Sequence, residues 1–237
     1  MIKKALILAA GFGSRLLDYT EDKPKSLVNV KGKPILEYQL EALTANNIKE
    51  IVIVIGYKGE KIKEFIQNSK FKELNIKFIE NKEFASTESS YSLWLARNEI
   101  INEHYIHLNC DVIFSKELLK ALIKDEKDNV IVIDEKVRLL EGKMEHVILK
   151  GDRIIKMDKE KVKNPNGKGT GIAKFSPENI RWLIEKIDRY IADGDKGQNF
   201  YTFIREGVHF KNFYGMFSGN NFIKEVNTIE ELQEANK

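Results

Sequence analysis

The chain has 237 residues, a formal net charge of +3, 42% hydrophobic and 32% charged side chains, the profile of one ordinary globular domain. Its 39 basic and 36 acidic groups are mixed along the chain, without the basic stripe that nucleic-acid binding needs, and no apolar run approaches the roughly 18 residues of a membrane helix. The single cysteine, Cys110, has no partner for an internal disulfide, so a reducing, cytoplasmic setting is expected.

The first apolar run, KALILA (4–9), passes straight into Gly-Phe-Gly-Ser-Arg and reads as a buried strand, too short for the core of a signal peptide. ILEYQLEALTANN (35–47) carries Ile35, Leu36, Leu40 and Leu43 at helical spacing. EIVIVIGY (50–57) is a β-branched strand stopped by glycine, and a helix follows over 60–68. A short strand at 76–80 precedes a helix over 89–101, with serines at its start as cap candidates. A strand at 105–110 and a helix at 116–124 complete the first half. Strands alternating with helices predict βαβ units, hence a mostly parallel sheet with helices on both faces.

Beyond about residue 128 three short runs, at 129–136, 145–151 and 153–159, sit at hairpin spacing, with Gly151-Asp152 as a turn signal. They predict a small antiparallel β insertion. NPNGKGTG (164–171) has the composition of a loop, IAKFS (172–176) that of a strand, and Pro177 opens a helix to about Ala192. A helix near 198–206, a strand near 209–213 and a last helix over about 228–236 follow. Residues 1–237 are read as one α/β domain, with about 129–175 as a β-rich elaboration.

The chemistry concentrates in LAAGFGSRL (8–16). The dinucleotide fingerprint G-x-G-x-x-G is met by Gly11 and Gly13, but Leu16 stands where its third glycine belongs. The P-loop fails too, because no Gly-Lys-Ser/Thr follows. What distinguishes the loop is Arg15 and, downstream, Lys23-Pro24-Lys25. A glycine turn lets backbone N–H groups approach phosphate oxygens, and Arg15 offers a rigid fork of donors for a polyphosphate. Lys25 adds a second cation at a site constrained by proline.

Taken in order, LILAAGFGSRL…DKPKSLVNVKGKPILEYQLEAL resembles the amino-terminal signature of the nucleotidyltransferase family that includes sugar-phosphate nucleotidylyltransferases and bacterial phosphocholine cytidylyltransferases. A weaker likeness continues through SSYSLWLAR and HLNCDVIF to EVNTIEEL. The resemblance implies a Rossmann-like α/β fold and transfer of a nucleotidyl group: a phosphate monoester attacks the α-phosphorus of a nucleoside triphosphate and displaces pyrophosphate. Such chemistry rests on alignment and charge neutralisation, with Arg15, Lys25 and Asp111 as the implied catalytic residues. It also implies Mg²⁺, held by Asp111 and by a carboxyl-terminal segment. There Glu225 is kept, but Asn227 replaces the family's aspartate. An amide oxygen coordinates Mg²⁺ without contributing charge, and Asn227 with Thr228 could equally cap the last helix.

The likeness of 86–97 to the phosphocholine branch favours CTP. The expected nucleotide contacts are Leu8, Ala9, Ala10, Gly11, Gly13, Ser14, Arg15, Lys25, Gly56, Tyr57 and Ser89. An ammonium-bearing acceptor would call for aromatic faces and a carboxylate, for which Tyr91, Trp94, Tyr201 and Glu88 are the candidates; each aromatic could instead be core. A sugar or polyol phosphate would call for polar groups such as GKGTG (167–171) and Gln198-Asn199. Phosphocholine, aminoethylphosphonate, a phosphorylated amino acid amide and a polyol phosphate all fit the sequence, as does a homodimer. A nucleotide-sensing module with weak catalysis is the reading from another class.

Overall fold

The computed structural model describes residues 2–136, 144–160 and 162–237. Its first half follows the expected alternation. Strand β1 (Lys4–Ala9) leads into two short 3-10 turns over Ser14–Thr20, and a small hairpin of β2 (Asn29–Val30) and β3 (Lys33–Pro34) precedes α1 (Ile35–Ala45). Next come β4 (Glu50–Ile55), α2 (Gly59–Gln67), β5 (Asn75–Glu80), α3 (Ser89–Leu95) and α4 (Arg97–Ile100). The helix expected over 89–101 is thus two helices, interrupted at Ala96. Strands β6 (Tyr105–Asn109) and β7 (Val112–Phe114) lead to α5 (Lys116–Lys124), whose amino terminus is capped by Ser115 accepting from the Leu118 N–H.

The second half consists of β8 (Val130–Asp134), β9 (His146–Lys150), β10 (Arg153–Asp158), β11 (Gly167–Phe175), α6 (Pro177–Ala192), α7 (Phe200–Gly207), β12 (Tyr214–Phe217), β13 (Ile223–Glu225) and α8 (Ile229–Ala235). The strand expected near 209–213 therefore lies at 214–217. Nine strands form one mixed sheet in the order β5-β4-β1-β6-β11-β8-β12-β10-β9. β5, β4, β1 and β6 are parallel neighbours, whereas β11 runs antiparallel to both β6 and β8. β9 and β10 make the expected hairpin. The β-rich stretch therefore builds the second half of the main sheet, so parallel order is confined to the first half and to β8 with β12.

Alternation along β1 divides the interior in two. Leu6 and Leu8 face a core with residues of α3, α6 and α7; Ala5, Ile7 and Ala9 face another with residues of α1, α2 and α5. Burial on both faces is why the strand reads as a continuous apolar run. A third, smaller core joins Leu16, Val28, Val30, Ile35, Ile113, Val226, Leu232 and Ala235. It ties the glycine loop to the chain's last helix.

Candidate active site

The parallel strands β1, β5 and β6 end on one side of the sheet, where ligands of open α/β sheets bind. A cleft of about 330 Å³ opens there, between the glycine loop after β1, the segment after β5 and the segment after β6. Leu8, Ala10, Gly11, Gly13, Ser14, Arg15, Lys25, Glu88, Ser89, Asp111 and Asn227 line it. The expected residues Ala9, Gly56, Tyr57, Tyr91, Trp94, Tyr201 and Glu225 do not.

Local geometry shapes the glycine loop. Gly13 has a φ of +68°, and a Cβ there would meet Lys25 Cβ at 2.9 Å, so glycine is needed both for the turn and for the close approach of the lysine segment. Leu16 N–H donates to the Gly13 carbonyl at 2.9 Å, and the Thr20 hydroxyl donates to the Gly13 and Leu17 carbonyls. Leu16 is fully buried in the third core. A glycine at this position would surrender roughly the 1.5–3 kcal/mol that burying a leucine side chain brings. Members of that core flank four residues of the cleft: Leu16 adjoins Arg15, Val226 adjoins Asn227, Val28 follows Lys25 and Ile113 follows Asp111.

Four side chains from separate segments converge. Buried Lys25 donates from Nζ to Asp111 Oδ2 at 2.9 Å and to Asn227 Oδ1 at 2.8 Å. Arg15 Nη2 donates to the same Asn227 Oδ1 at 3.0 Å. Burial pushes the Asp111 carboxyl up, but the charge and hydrogen bond of Lys25, with Lys168 beyond, together outweigh it and hold the group below the ordinary aspartate value. Glu225 lies behind this cluster: its Oε2 accepts from Lys168 Nζ and from Asn227 Nδ2. Burial, reinforced by Asp111, leaves the Glu225 carboxyl above its ordinary value despite Lys168. Burial disfavours the Lys168 charge, yet Glu225, Glu231 and Asp111 raise its pKa. Asn227 also belongs to the entry of α8, since Thr228 and Glu231 form a capping box there.

Among the described residues no three His, Cys, Asp or Glu side chains gather as a metal site. The donor set still suits Mg²⁺, which takes one or two carboxylates and completes its shell with substrate phosphates and water. Asp111 Oδ2 and Asn227 Oδ1 already converge on one cation, Lys25 Nζ. Glu225, an expected ligand, does not line the cleft; its carboxylate accepts from Lys168 and Asn227 instead.

On the nucleoside side, Ala10 accepts from the Tyr57 N–H at 2.9 Å and Leu8 from the Cys110 N–H at 3.2 Å. Their carbonyls are thus engaged in the fold. Gly56 sits behind the wall, where a Cβ would lie 2.6 Å from the Ala10 oxygen, and Tyr57 packs with Phe12 and Phe84. Ala9 points into the opposite core. Residues that sequence reasoning passed over complete the wall. Asn81, buried just after β5, donates to Thr87 Oγ1 at 3.0 Å and to Ser92 Oγ at 3.1 Å. Asn109, at the end of β6, and Phe84 also line the cleft. The legible signal for Asn81 and Asn109 is their place at the carboxyl ends of parallel strands.

The aromatic acceptor candidates are already spent. Tyr91 stacks on Trp94 with centroids 5.6 Å apart; Lys196 Nζ lies 4.8 Å from the Tyr91 ring and Arg97 3.7 Å from the Trp94 ring. Each ring thus carries a cation of the protein's own. Trp94 donates to Asp188 and Tyr91 to Glu83. Tyr201 is buried, and its hydroxyl donates to the Thr170 carbonyl. Only Glu88 of that set faces the cleft.

The MobA-like NTP transferase domain family matches residues 5–159. The chain is 41% identical over 103 residues to the choline-phosphate cytidylyltransferase of Streptococcus pneumoniae, covering 44% of this chain and 43% of the relative. It is 30% identical over 136 residues to the CTP:phosphoglutamine cytidylyltransferase of Campylobacter jejuni, covering 55% and 52%. The chain thus spans about half the length of the curated relatives it matches. The solved structure of CTP:phosphocholine cytidylyltransferase from S. pneumoniae superposes with a TM-score of 0.79 at 20% identity, over 100% of this chain and 98% of that one. That likeness carries the fold. No helix among the described residues is long and apolar enough to cross a membrane.

Proposed function

The chain belongs to the MobA-like NTP transferase domain family, and from that premise we propose that it is a cytidylyltransferase, coupling CTP to a small phosphorylated acceptor and releasing pyrophosphate. The observation that carries this reading is the convergence of Arg15, Lys25, Asp111 and Asn227, from four separate segments, at one point of a cleft. The relatives named as cytidylyltransferases support cytidine as the base and an acceptor of the phosphocholine, phosphonate or phosphorylated amino acid amide type.

In the reaction an oxygen of the acceptor's phosphate or phosphonate attacks the α-phosphorus of CTP. The bridging bond to the β-phosphate breaks and its electron pair leaves with pyrophosphate. The nucleophile is already an anion, so the site needs alignment and positive charge more than a base. Arg15 grips the phosphates with its planar fork. Lys25 supplies a preorganised charge from a buried position, where it counts for more than in water. Asp111 and Asn227 would hold Mg²⁺, which supplies further neutralisation of the phosphate oxygens when bound. Glu88 offers a carboxylate to the acceptor's cationic group. The test is a matrix of nucleoside triphosphates against phosphorylated acceptors, read by pyrophosphate release. CTP-dependent turnover with one acceptor class is expected. Turnover with another triphosphate alone refutes the choice of base, and CTP binding without turnover on any acceptor favours a sensing module.

A further inference from the structure

Asn81, Asn109, Asn199 and Asn227 line the cleft. A carboxamide has an accepting end and a donating end, and the protein itself occupies both ends of two of them. Asn81 donates to Thr87 and Ser92 and accepts from the Glu83 N–H at 3.0 Å. Asn227 accepts from Lys25 and Arg15 and donates to Glu225. Asn109 and Asn199 differ. Asn109 Oδ1 lies 3.3 Å from His107 Nε2; the carboxamide oxygen only accepts, so the ring nitrogen donates. Asn199 Oδ1 caps α7, accepting from the Tyr201 N–H at 2.9 Å. Among the described residues neither Nδ2 has a protein partner, so each amide is held by its oxygen with its donor free. Both are held firmly. His107 is buried and stacked on Phe200, and Gly171 on β11 makes room for the Asn109 side chain: a Cβ there would lie 2.5 Å from Asn109 Cβ and 2.8 Å from Nδ2. The segment of Asn199 is tied to α3 by the Ser90 N–H on the Gln198 carbonyl and the Phe200 N–H on Ser89 Oγ.

We propose that Asn109 and Asn199 are specificity-determining donors to the acceptor, with His107 as the positioning residue of Asn109, and that the acceptor carries a neutral oxygen, a carboxamide or a hydroxyl, beside its phosphate. The inference rests on the cytidylyltransferase reading of the cleft. The sheet order β5-β4-β1-β6-β11 puts Asn81, just after β5, and Asn109, at the end of β6, at opposite ends of the wall. Attacking and leaving oxygens lie roughly in line across the α-phosphorus. With the triphosphate on the glycine loop and Arg15, the acceptor is left the wall of β6 and the entry of α7. A trimethylammonium group offers no lone pair and would leave both donors unpaired. The aromatic faces that would otherwise hold it are covered by Lys196 and Arg97. Glu88 also lines the cleft, and Lys196, whose carbonyl accepts from the Glu88 N–H, has its own charge held on Glu83 at 2.7 Å. Two neutral donors near an unpaired carboxylate suit a neutral oxygen better than a second carboxylate.

The test measures pyrophosphate release with CTP and a matched set of acceptors: O-phosphoserine amide, glycerol 3-phosphate, phosphoethanolamine and phosphocholine. Phosphoethanolamine is O-phosphoserine amide without its carboxamide, and glycerol 3-phosphate offers hydroxyls in its place. One of the two oxygen-bearing acceptors is expected to exceed phosphoethanolamine and phosphocholine by about tenfold or more in kcat/KM, the two donors acting together. Asn109→Ala, and Asn199→Ser, which keeps a capping oxygen for α7, should each lose about threefold to tenfold with that acceptor, the range of one neutral hydrogen bond. The loss should fall on the acceptor KM, with a smaller change for phosphocholine. His107→Phe keeps a ring against Phe200 and should erode the same preference in the wild type, but not further in Asn109→Ala. Thermal unfolding confirms that each variant is folded, and calorimetry with CTP follows the nucleotide. Phosphocholine turned over as well as the oxygen-bearing acceptors overturns the inference, as do variants that weaken all acceptors alike or weaken CTP as much. An unchanged preference in His107→Phe overturns its positioning role. CTP binding without turnover of any acceptor overturns the cytidylyltransferase reading itself, and the inference with it.

Discussion

Replacing Leu16 with alanine tests whether the small third core holds the glycine loop. Leu16 has no exposed surface, and leucine-to-alanine changes in a core cost about 2–5 kcal/mol, more where the cavity cannot collapse. This core has eight buried members and lies beneath short turns, so partial collapse should place the cost near the lower end, about 2–3 kcal/mol. That loss should appear as a lower urea midpoint at unchanged m-value. The same change frees the backbone beside Arg15, whose bond to Asn227 belongs to the charge-assisted class worth roughly 1.5–3 kcal/mol. kcat/KM for pyrophosphate release should therefore fall about tenfold or more. Val226→Ala perturbs the same core from the Asn227 side, so the two changes should combine less than additively. Lost stability with full activity would show that the core carries the fold alone and does not position Arg15. Unchanged stability would contradict the burial of Leu16.

Lys25→Ala should lower kcat by about 10²–10³, the usual cost of removing a preorganised donor to developing charge, while CTP binding falls less; equal losses in both would deny Lys25 a transition-state role. His107 is fully buried and stacked on Phe200 at 4.4 Å, and burial, opposed only by its bond to Asn109, lowers its pKa from 6.5 to about 4. The unfolded chain takes up that proton first, so stability is complete above about pH 6.5 and falls by about 3 kcal/mol on acidification toward pH 4. Urea titrations of wild type and His107→Phe between pH 7 and 5 check this, and parallel curves for the two would refute it. Trp94→Ala should cost stability and leave the KM for acceptor unchanged, because Tyr91 and Arg97 already cover its ring; a raised acceptor KM at unchanged stability would return Trp94 to the site.

The first half of the fold was legible because its signals are local: α5 has its predicted bounds of 116–124, with Ser115 as cap and a clean apolar face. The meeting of the glycine loop with the lysine segment was legible because Gly13, Arg15 and Lys25 are close in sequence. What escaped depends on neighbours distant in the chain. The stretch 164–171 reads as loop, yet β11 begins at Gly167. A Cβ at Gly167 would meet Ile133 at 2.6 Å, and one at Gly171 would meet Asn109 at 2.5 Å. These glycines mark close packing of strands, which composition cannot tell from a turn. The aromatic candidates failed for a similar reason. Helical spacing places Tyr91, Trp94 and Arg97 along one side of α3 and α4, but the cations on the rings come partly from Lys196, about a hundred residues away. Spacing gives the face of a helix and says nothing of what already covers it.

Leu16 and Asn227 look in the sequence like two defects, a fingerprint lacking its third glycine and a metal pair lacking its second aspartate. In the structure they belong to one device. Leu16 and Val226 enter the same core, and their neighbours Arg15 and Asn227 meet directly across the cleft at 3.0 Å. Arginine on an exposed loop would otherwise sample many rotamers, and ordering it would be charged against substrate binding. Here its backbone is anchored by a buried leucine and its guanidinium by an amide whose own orientation is fixed from behind. Preorganisation of that kind is what an anionic nucleophile and a triphosphate require, since the barrier lies in bringing like charges together. The two departures from familiar motifs therefore account for the geometry of the grip better than the glycines they accompany.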